Sequence, residues 1–482
     1  MDSFVLIIFG ITGNLAQIKL IPALYDIAEK GLLPKNTSII GIARGKKNQQ
    51  EIKDYFKQVL HLENRHHKHP IKNQVLEQLY NNLHYLDGYL DDPNFYIKLK
   101  KYLDDLSKDG VNCKNKIYYL ATYPNLYKDI FKNLQASGLN KQTSGWVRLM
   151  IEKPIGVDEK SARELNQLLL DYYSEDQIFR LDHYLGKETL QNILTFRFSN
   201  EIFEPLISKD FIDHIQIIAA EDFGIGARGG YYDSVGALKD VGQNHLLQML
   251  AFATMDPPSE FSNLAVTKQR NKILEKLIPI PKKLVLGQYE NYKSKENVDP
   301  NSKADTFFAF KTEIDNDRFK GVPIYIRGGK KLAKTVTEIA IVFKNPANRL
   351  FKHMDSGEEP NILFYRIQPN EGIVLKILVK KPGHKSELEP NYMQYCYKQT
   401  PDNHPFPDPY ERLIFDAIKG DQTFFNDAKE VETEWHFIDP LAKQKKPPII
   451  YKEGSWGPKE ADKLIEADGR SWIEPSVEFC PI

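Results

Sequence analysis

Residues Arg180-Leu181-Asp182-His183-Tyr184-Leu185-Gly186-Lys187-Glu188 place a carboxylate, an imidazole, a phenol and an ammonium in one short segment. Such a set can hold a phosphate between His183 and Lys187 while Asp182 orients a neighbouring base. A capped helix start with solvated charges would use the same residue types, so the segment acquires meaning only from partners elsewhere. Lys239 to Leu250 reads as a helix, polar first and apolar later, with His245 at the changeover. An imidazole is the side chain best suited to take a hydroxyl proton near neutral pH. A carboxylate such as Asp182 could fix its tautomer. Glu152-Lys153-Pro154-x-Gly156 follows an apolar run, and Pro154 pushes Lys153 towards an extended conformation. A lysine held at a strand end could bridge cofactor and substrate. Arg327-Gly328-Gly329-Lys330-Lys331 offers a further basic turn, for which a solvated hairpin is the plainer reading.

A nucleotide site is readable near the start of the chain. Gly10-x-x-Gly13-x-x-Ala16 lies directly between an apolar run and a helical stretch. Small residues there let the backbone approach a pyrophosphate, and the helix N-terminus offers unpaired N–H groups and a favourable dipole. The literal fingerprint Gly224-Ile225-Gly226-Ala227-Arg228-Gly229 is rejected for this role. Glu221 and Asp222 precede it and would repel phosphate, and the surrounding chain lacks strand–helix alternation. The second strand ends in Arg44, followed by Gly45, Lys46 and Lys47, with no acid. A basic residue there suits the 2′-phosphate of NADP, whereas an acid would suit the ribose hydroxyls of NAD.

These groups need a scaffold. Phe4 to Phe9 is a continuous apolar run, as expected of a parallel strand buried on both faces. Asn14 to Lys30 reads as a helix, and Ser38 to Ala43, Lys116 to Ala121 and Val147 to Ile151 as further strands. This alternation predicts βαβ units and a doubly wound sheet. After about residue 180 the strands Phe211 to Ala220, Phe307 to Ile314, Ile324 to Gly328, Thr337 to Phe343, Asn361 to Gln368 and Val374 to Val379 follow with few helices between them. Much of that sheet should be antiparallel. The expectation is a Rossmann-like α/β domain over 1–179, and a larger α+β domain over 180–482 with a mixed, largely antiparallel sheet. Asn291 to Lys303 reads as an exposed loop.

The chain's 482 residues are too many for one ordinary core, consistent with two domains. Sixty-five basic residues balance sixty-five acidic ones, which argues against a general nucleic-acid-binding role and leaves room for a local anion pocket. Cys113, Cys396 and Cys480 lack metal-ligand spacing and read as scattered reduced thiols. Met1-Asp2-Ser3 lacks the basic start of a secretion signal, and no apolar run is long enough to span a bilayer. A cytoplasmic location without membrane contact is expected. Arg65-His66-His67-Lys68-His69 reads as a solvated surface run rather than a metal site.

Taken together the segments resemble the glucose-6-phosphate dehydrogenase family. The stretches that carry the likeness are Phe9 to Ala16, Ile151 to Gly156, the loop 180–188, and the long run from Ile202 through Phe223 to Pro258. Gly321 to Ile324, Tyr410 to Ile414 and Gly454 to Pro458 extend it, so that it covers nearly the whole chain in the family's order. The resemblance implies that His245 is the general base on a C1 hydroxyl and that Asp182 orients it. It implies that His183, Tyr184 and Lys187 hold the 6-phosphate of glucose 6-phosphate, and that Glu221 and Asp240 accept from sugar hydroxyls. Lys330 would bind substrate, with Thr335 beside it, and Lys153 would contact both substrate and cofactor. Gly10, Thr12, Gly13, Asn14 and Leu15 would cradle NADP, and Arg44 would meet its 2′-phosphate. The implied reaction yields 6-phosphoglucono-1,5-lactone, and the implied assembly is a homodimer or homotetramer formed through the larger domain's sheet.

Three positions depart from the family pattern. Asn14 stands where Asp is usual, and both can cap a helix. Leu181 replaces Ile at similar volume. Thr335 occupies a position where many members carry Lys or Arg, with Lys334 available beside it. Three rival readings are weaker. Against a dehydrogenase for another 6-substituted sugar stands the phosphate-binding set His183, Tyr184 and Lys187, all present. Tyr96/Lys100 and Tyr289/Lys293 spell the Tyr-x-x-x-Lys of short-chain dehydrogenases, but in charge-rich segments. A non-catalytic NADP sensor would have no need of both His245 and Asp182.

Overall fold

The computed structural model describes residues 2–62, 70–142, 144–345, 359–385, 387–399, 406–444, 446–475 and 479–480. The histidine-rich run at 65–69 lies outside them. The chain forms two compact units. One comprises Met1–Gly156, Lys160–Gly186 and Pro407–Ala428; the other comprises Val157–Glu159, Lys187–Phe406 and Lys429–Ile482.

The first unit is built on strands β1 (Val5–Phe9), β2 (Ser38–Ala43), β3 (Leu83–Asp87), β4 (Lys116–Leu120), β5 (Val147–Ile151) and β6 (Ile178–Arg180). They pair in the order β3-β2-β1-β4-β5-β6, and every pairing is parallel. All residues of β1 and β2 are buried, which is why their sequences are apolar without alternation. Strand order reverses between β1 and β4, and a crevice at such a switch point is where doubly wound sheets bind ligands. Helical residues Ala16–Leu20 and Ile21–Glu29 follow the Gly10 turn, opening in a wide π turn before becoming regular. Strands β3 and β6 were not expected. The first mixes polar and apolar residues on half-buried positions, and the second has only three residues.

The second unit holds β7 (Ile212–Ala220), β8 (Leu277–Tyr289), β9 (Phe307–Ile314), β10 (Ile324–Gly329), β11 (Val336–Phe343), β12 (Ile362–Gln368), β13 (Gly372–Lys380), β14 (Leu388–Cys396) and β15 (Ile449–Tyr451). Their order is β14-β13-β12-β11-β7-β10-β9-β8-β15. Only the β7–β10 and β8–β15 pairings are parallel among the described strands. The sheet is therefore mixed and mostly antiparallel. Helix Leu247–Thr254 is buried along its whole length, so its sequence carries no polar face. Arg270 and Glu430, both fully buried, pair at 2.7 Å.

Two expectations about this unit change. Cys396 and Cys480 are joined by a disulfide, not kept as separate thiols. Their 84-residue separation hides the pairing in sequence; the end of β14 and the chain's last turn bring their Cα atoms to 5.2 Å. Arg327 is not in a solvated hairpin either. It is 1% exposed and lies between the rings of Trp456 and Trp472, at 5.1 and 4.4 Å. The 291–303 stretch does form a loop, but Tyr292 within it is buried against the Tyr289 ring.

Candidate active site

In the first unit, β1 ends at Phe9 and is followed by Gly10, whose φ is +96°. A Cβ there would lie 2.4 Å from the Ala121 carbonyl oxygen, so the turn accepts glycine alone. The Gly10 N–H donates to the Ile42 carbonyl at 2.8 Å, and the Gly13 N–H closes the turn on the Gly10 carbonyl at 2.9 Å. Asn14 and Leu15 then enter the helix. The result is a bare backbone edge leading into a helix N-terminus, which fits a dinucleotide pyrophosphate. Arg44 stands exposed one residue beyond β2, and the Tyr85 hydroxyl pins the following turn by donating to the Gly45 carbonyl at 2.6 Å.

Strands β5 and β6 deliver the next groups of this unit. Glu152, half-buried at the end of β5, accepts a hydrogen bond from the Tyr119 hydroxyl of β4. Lys153 follows, joined to Pro154 by a cis peptide. Beyond β6, Arg180 is fully buried and anchors the chain through a two-pronged pair with Glu175 at 2.5 and 3.1 Å. Asp182 is 2% exposed, and its Oδ1 accepts from the Tyr184 N–H at 2.9 Å. This Asx turn sets the shape of the loop. His183 packs edge-on against Tyr184 and stacks on the Tyr410 ring, with centroids 5.0 and 6.4 Å away.

The second unit carries the remaining candidates. Lys187 caps helix Glu188–Phe198 and donates to the side-chain oxygen of Gln368, at the end of β12. Gln368 was not singled out in sequence, because a lone glutamine at a strand end carries no signal. Glu221 leaves β7 with its N–H on the Gly329 carbonyl at 2.9 Å and its carboxylate on the Lys330 ammonium. Lys330 is 2% exposed, and its ammonium lies over the Phe223 and Tyr232 rings at 5.4 and 5.2 Å. The Thr335 hydroxyl donates to Asp222, and the Lys334 ammonium donates to the Pro475 carbonyl. Lys334 is thus engaged by the C-terminal segment.

Asp240 and His245 ride on the π-type helical segment Leu238–Leu246, a form that concentrates at functional sites. A kink at Gly236 (φ +73°) precedes it, and Asp305 caps it by accepting the Leu238 N–H at 2.7 Å. Gln243 and Gln248 both donate to the buried Glu434, fixing the segment's rotation. The Tyr231 hydroxyl donates to Asp240 at 3.2 Å. His245 is 1% exposed, and its backbone N–H donates to the Asn244 side-chain oxygen at 2.6 Å. The unit therefore gathers two acids, a buried cation and an imidazole on rigid elements, a set able to bind a polyol and move a proton. The rejected fingerprint at 224–229 lies between β7 and helix Gly229–Ala237, on the mixed sheet.

Comparison with known proteins covers both units. Residues 7–192 match the NAD binding domain of glucose-6-phosphate dehydrogenase, and residues 194–473 match its C-terminal domain. The chain is 39% identical to glucose-6-phosphate 1-dehydrogenase of Chlamydia muridarum, over 97% of this chain and 96% of that protein. It is 40% identical to the Aggregatibacter actinomycetemcomitans enzyme, over 98% and 97%. Among solved structures, a glucose-6-phosphate dehydrogenase in complex with glucose 6-phosphate is 33% identical with a TM-score of 0.91, over 98% of this chain and 99% of that one. The Mycobacterium avium enzyme is 32% identical with a TM-score of 0.87, over 99% and 100%.

Proposed function

The chain belongs to the glucose-6-phosphate dehydrogenase family, and from that premise we propose how its residues share the reaction. The reaction oxidises D-glucose 6-phosphate at C1 to 6-phosphoglucono-1,5-lactone with reduction of NADP, the first step of the oxidative pentose phosphate pathway. Bound NADP supplies the acceptor for the hydride. Gly10, Thr12, Gly13, Asn14 and Leu15 receive its pyrophosphate, and Arg44 meets the 2′-phosphate. His183, Tyr184 and Lys187 hold the sugar's 6-phosphate. Glu221 and Asp240 accept from its hydroxyls, while Lys330, itself fixed by Glu221 and two aromatic rings, donates to it. Thr335 acts on this side of the site through Asp222. Lys153 contacts substrate and cofactor together. His245 removes the C1 hydroxyl proton, and Asp182 orients the imidazole and favours its charged form.

The observation that carries the substrate assignment is the likeness, along nearly the whole chain, to a dehydrogenase seen with glucose 6-phosphate bound. An initial-rate assay of nicotinamide reduction tests it, comparing glucose 6-phosphate with glucose and galactose 6-phosphate, each with NADP and NAD. Fast reduction only with glucose 6-phosphate is expected. No turnover from protein that still binds NADP would overturn it in favour of a sensor.

The protein acts in the cytoplasm as a homodimer or homotetramer. Tyr392, Met393 and Tyr395 on β14, at 42, 61 and 49% exposure, support pairing through the larger sheet. No described helix is long and apolar enough to cross a membrane.

A further inference from the structure

Tyr231 has no task in that scheme, yet within the second unit its hydroxyl meets a group assigned to the sugar. It lies on helix Gly229–Ala237, and Asp240 lies on the segment Leu238–Leu246 that follows. The phenol donates to Asp240 Oδ1 at 3.2 Å across a separation of nine residues. In an unbroken helix that spacing means about 13 Å along the axis and opposite sides of the cylinder, beyond the reach of a hydrogen bond. The contact exists because Gly236, with φ +73° and ψ 168°, breaks the helix between them and redirects the second segment.

The first segment is itself held in place. Asp233, two residues past Tyr231 and so on the far side of the helix, accepts from the Tyr292 hydroxyl at 3.2 Å, the Asp299 N–H at 3.3 Å and the Ser302 hydroxyl. Tyr232 between them is fully buried, with the Lys330 ammonium 5.2 Å from its ring. Burial and the Asp240 charge push the Tyr231 phenol above its ordinary range, so it keeps its proton and remains a donor.

We propose that Tyr231 is a positioning residue for the reaction: by donating across the Gly236 kink, it sets the Asp240 carboxylate in the orientation from which it accepts a sugar hydroxyl. The inference rests on the role assigned to Asp240 above. An ionised carboxylate has several lone pairs, so the phenol can occupy one and leave others to the substrate. The torsion that turns an aspartate carboxylate is broad and soft. A hydrogen bond from a fixed phenol narrows it before the sugar arrives, which lowers the ordering cost of binding. Removing the phenol lifts one constraint on that torsion and should weaken the sugar's hold selectively.

Steady-state kinetics on Tyr231→Phe, Asp240→Ala and the double variant test this. Tyr231→Phe keeps the ring and should raise KM for glucose 6-phosphate about fivefold, the size of one lost hydrogen bond. Both kcat and KM for NADP should stay within about twofold, since Asp240 is assigned to the sugar. In the Asp240→Ala background the same change should add less than about twofold, because the partner through which it acts is gone.

An equal rise in both backgrounds would mean that the phenol works by a route other than Asp240, and overturns the proposal. A merely structural Tyr231 would lower the melting temperature and the apparent kcat while leaving KM for the sugar alone, and that overturns it too. Unchanged kinetics overturn it equally. If Asp240→Ala raises KM for glucose 6-phosphate but Tyr231→Phe does not, this inference fails and the Asp240 assignment stands. If Asp240→Ala leaves that KM unchanged, both fail. Should Asp240→Ala not fold, Asp240→Leu, closer to aspartate in size, takes its place in the cycle.

Discussion

Thr335 and Asp222 hold each other reciprocally. The threonine hydroxyl donates to Asp222 Oδ1 at 2.6 Å while the Asp222 N–H donates back to Thr335 Oγ1 at 3.1 Å. A hydroxyl has one proton to give, so Thr335 cannot act as a direct donor to an anion without releasing Asp222. Its contribution runs through the loop after β7, where Glu221 and Asp222 are neighbours. Thr335→Val should therefore raise KM for glucose 6-phosphate about fivefold, from the loss of roughly 1 kcal/mol of hydrogen bonding. KM for NADP should stay constant. An equal rise for both ligands would detach Thr335 from the sugar.

His245→Asn tests the base. His245 is buried on a helical segment whose rotation is fixed by Gln243 and Gln248 on Glu434, so the smaller amide should leave the surrounding fold in place. An amide cannot take a proton near neutral pH, and loss of general-base catalysis costs about 10²–10⁴ in kcat. Substrate affinity measured by equilibrium titration should change little. A variant that turns over within a few-fold of the wild type would show that the proton leaves by another route.

Arg44→Ala separates the two nicotinamide cofactors. The arginine is exposed at the end of β2, where the Gly45 turn is braced by Tyr85 rather than by the arginine itself. Its removal should spare the fold and cost NADP about 1.5–3 kcal/mol, the value of a hydrogen bond to a charged group. NAD lacks the 2′-phosphate and should bind almost as before. Equal losses in the two dissociation constants would remove Arg44 from the role.

Much of this architecture was legible because burial imposes its own pattern. Strand β1 is apolar end to end since both faces are covered, β2, β4 and β5 are mostly so, with Ser38, Lys116 and Arg148 as their polar members, and β7 and β9 to β13 were placed within a residue or two. Strand β8 was missed because Pro279 and Pro281 interrupt it, and its register with β9 does shift between Pro279 and Leu284. Strand β14 was missed because its exposed residues include Pro390, Asn391 and Gln394. In the site, Glu221 and Lys330 emerged from the family likeness, but their pairing did not. It depends on β7 and β10 lying side by side in parallel, a relation between segments about a hundred residues apart. The Gln368 contact to Lys187 and the Cys396–Cys480 disulfide were hidden for the same reason.

The mounting of the helical segment Leu238–Leu246 should be visible in stability against pH. Asp305 caps the segment carrying Asp240 and His245, and a Cβ on Gly236 would fall 2.4 Å from its Oδ1, so the carboxyl is held tightly beneath the kink. Burial pushes its pKa up to about 6 from 3.8; the hydrogen bond from the Leu238 N–H and the Lys239 charge limit the rise. Between about pH 4 and 6 the folded protein therefore keeps a proton that the unfolded chain has released. Stability from this group falls as pH rises through that window, and the penalty persists above it. Asp305→Asn retains an oxygen acceptor for Leu238 and removes the ionisation. The melting temperature of the variant minus that of the wild type should become more positive from pH 4 to pH 8. Asp26, Glu152 and Asp416, whose carboxyls are also raised, titrate in both proteins and cancel in the difference. A difference that stays flat across the range, or turns negative, would mean that Asp305 is already ionised in the fold at acid pH and stabilises the helix as a charged cap.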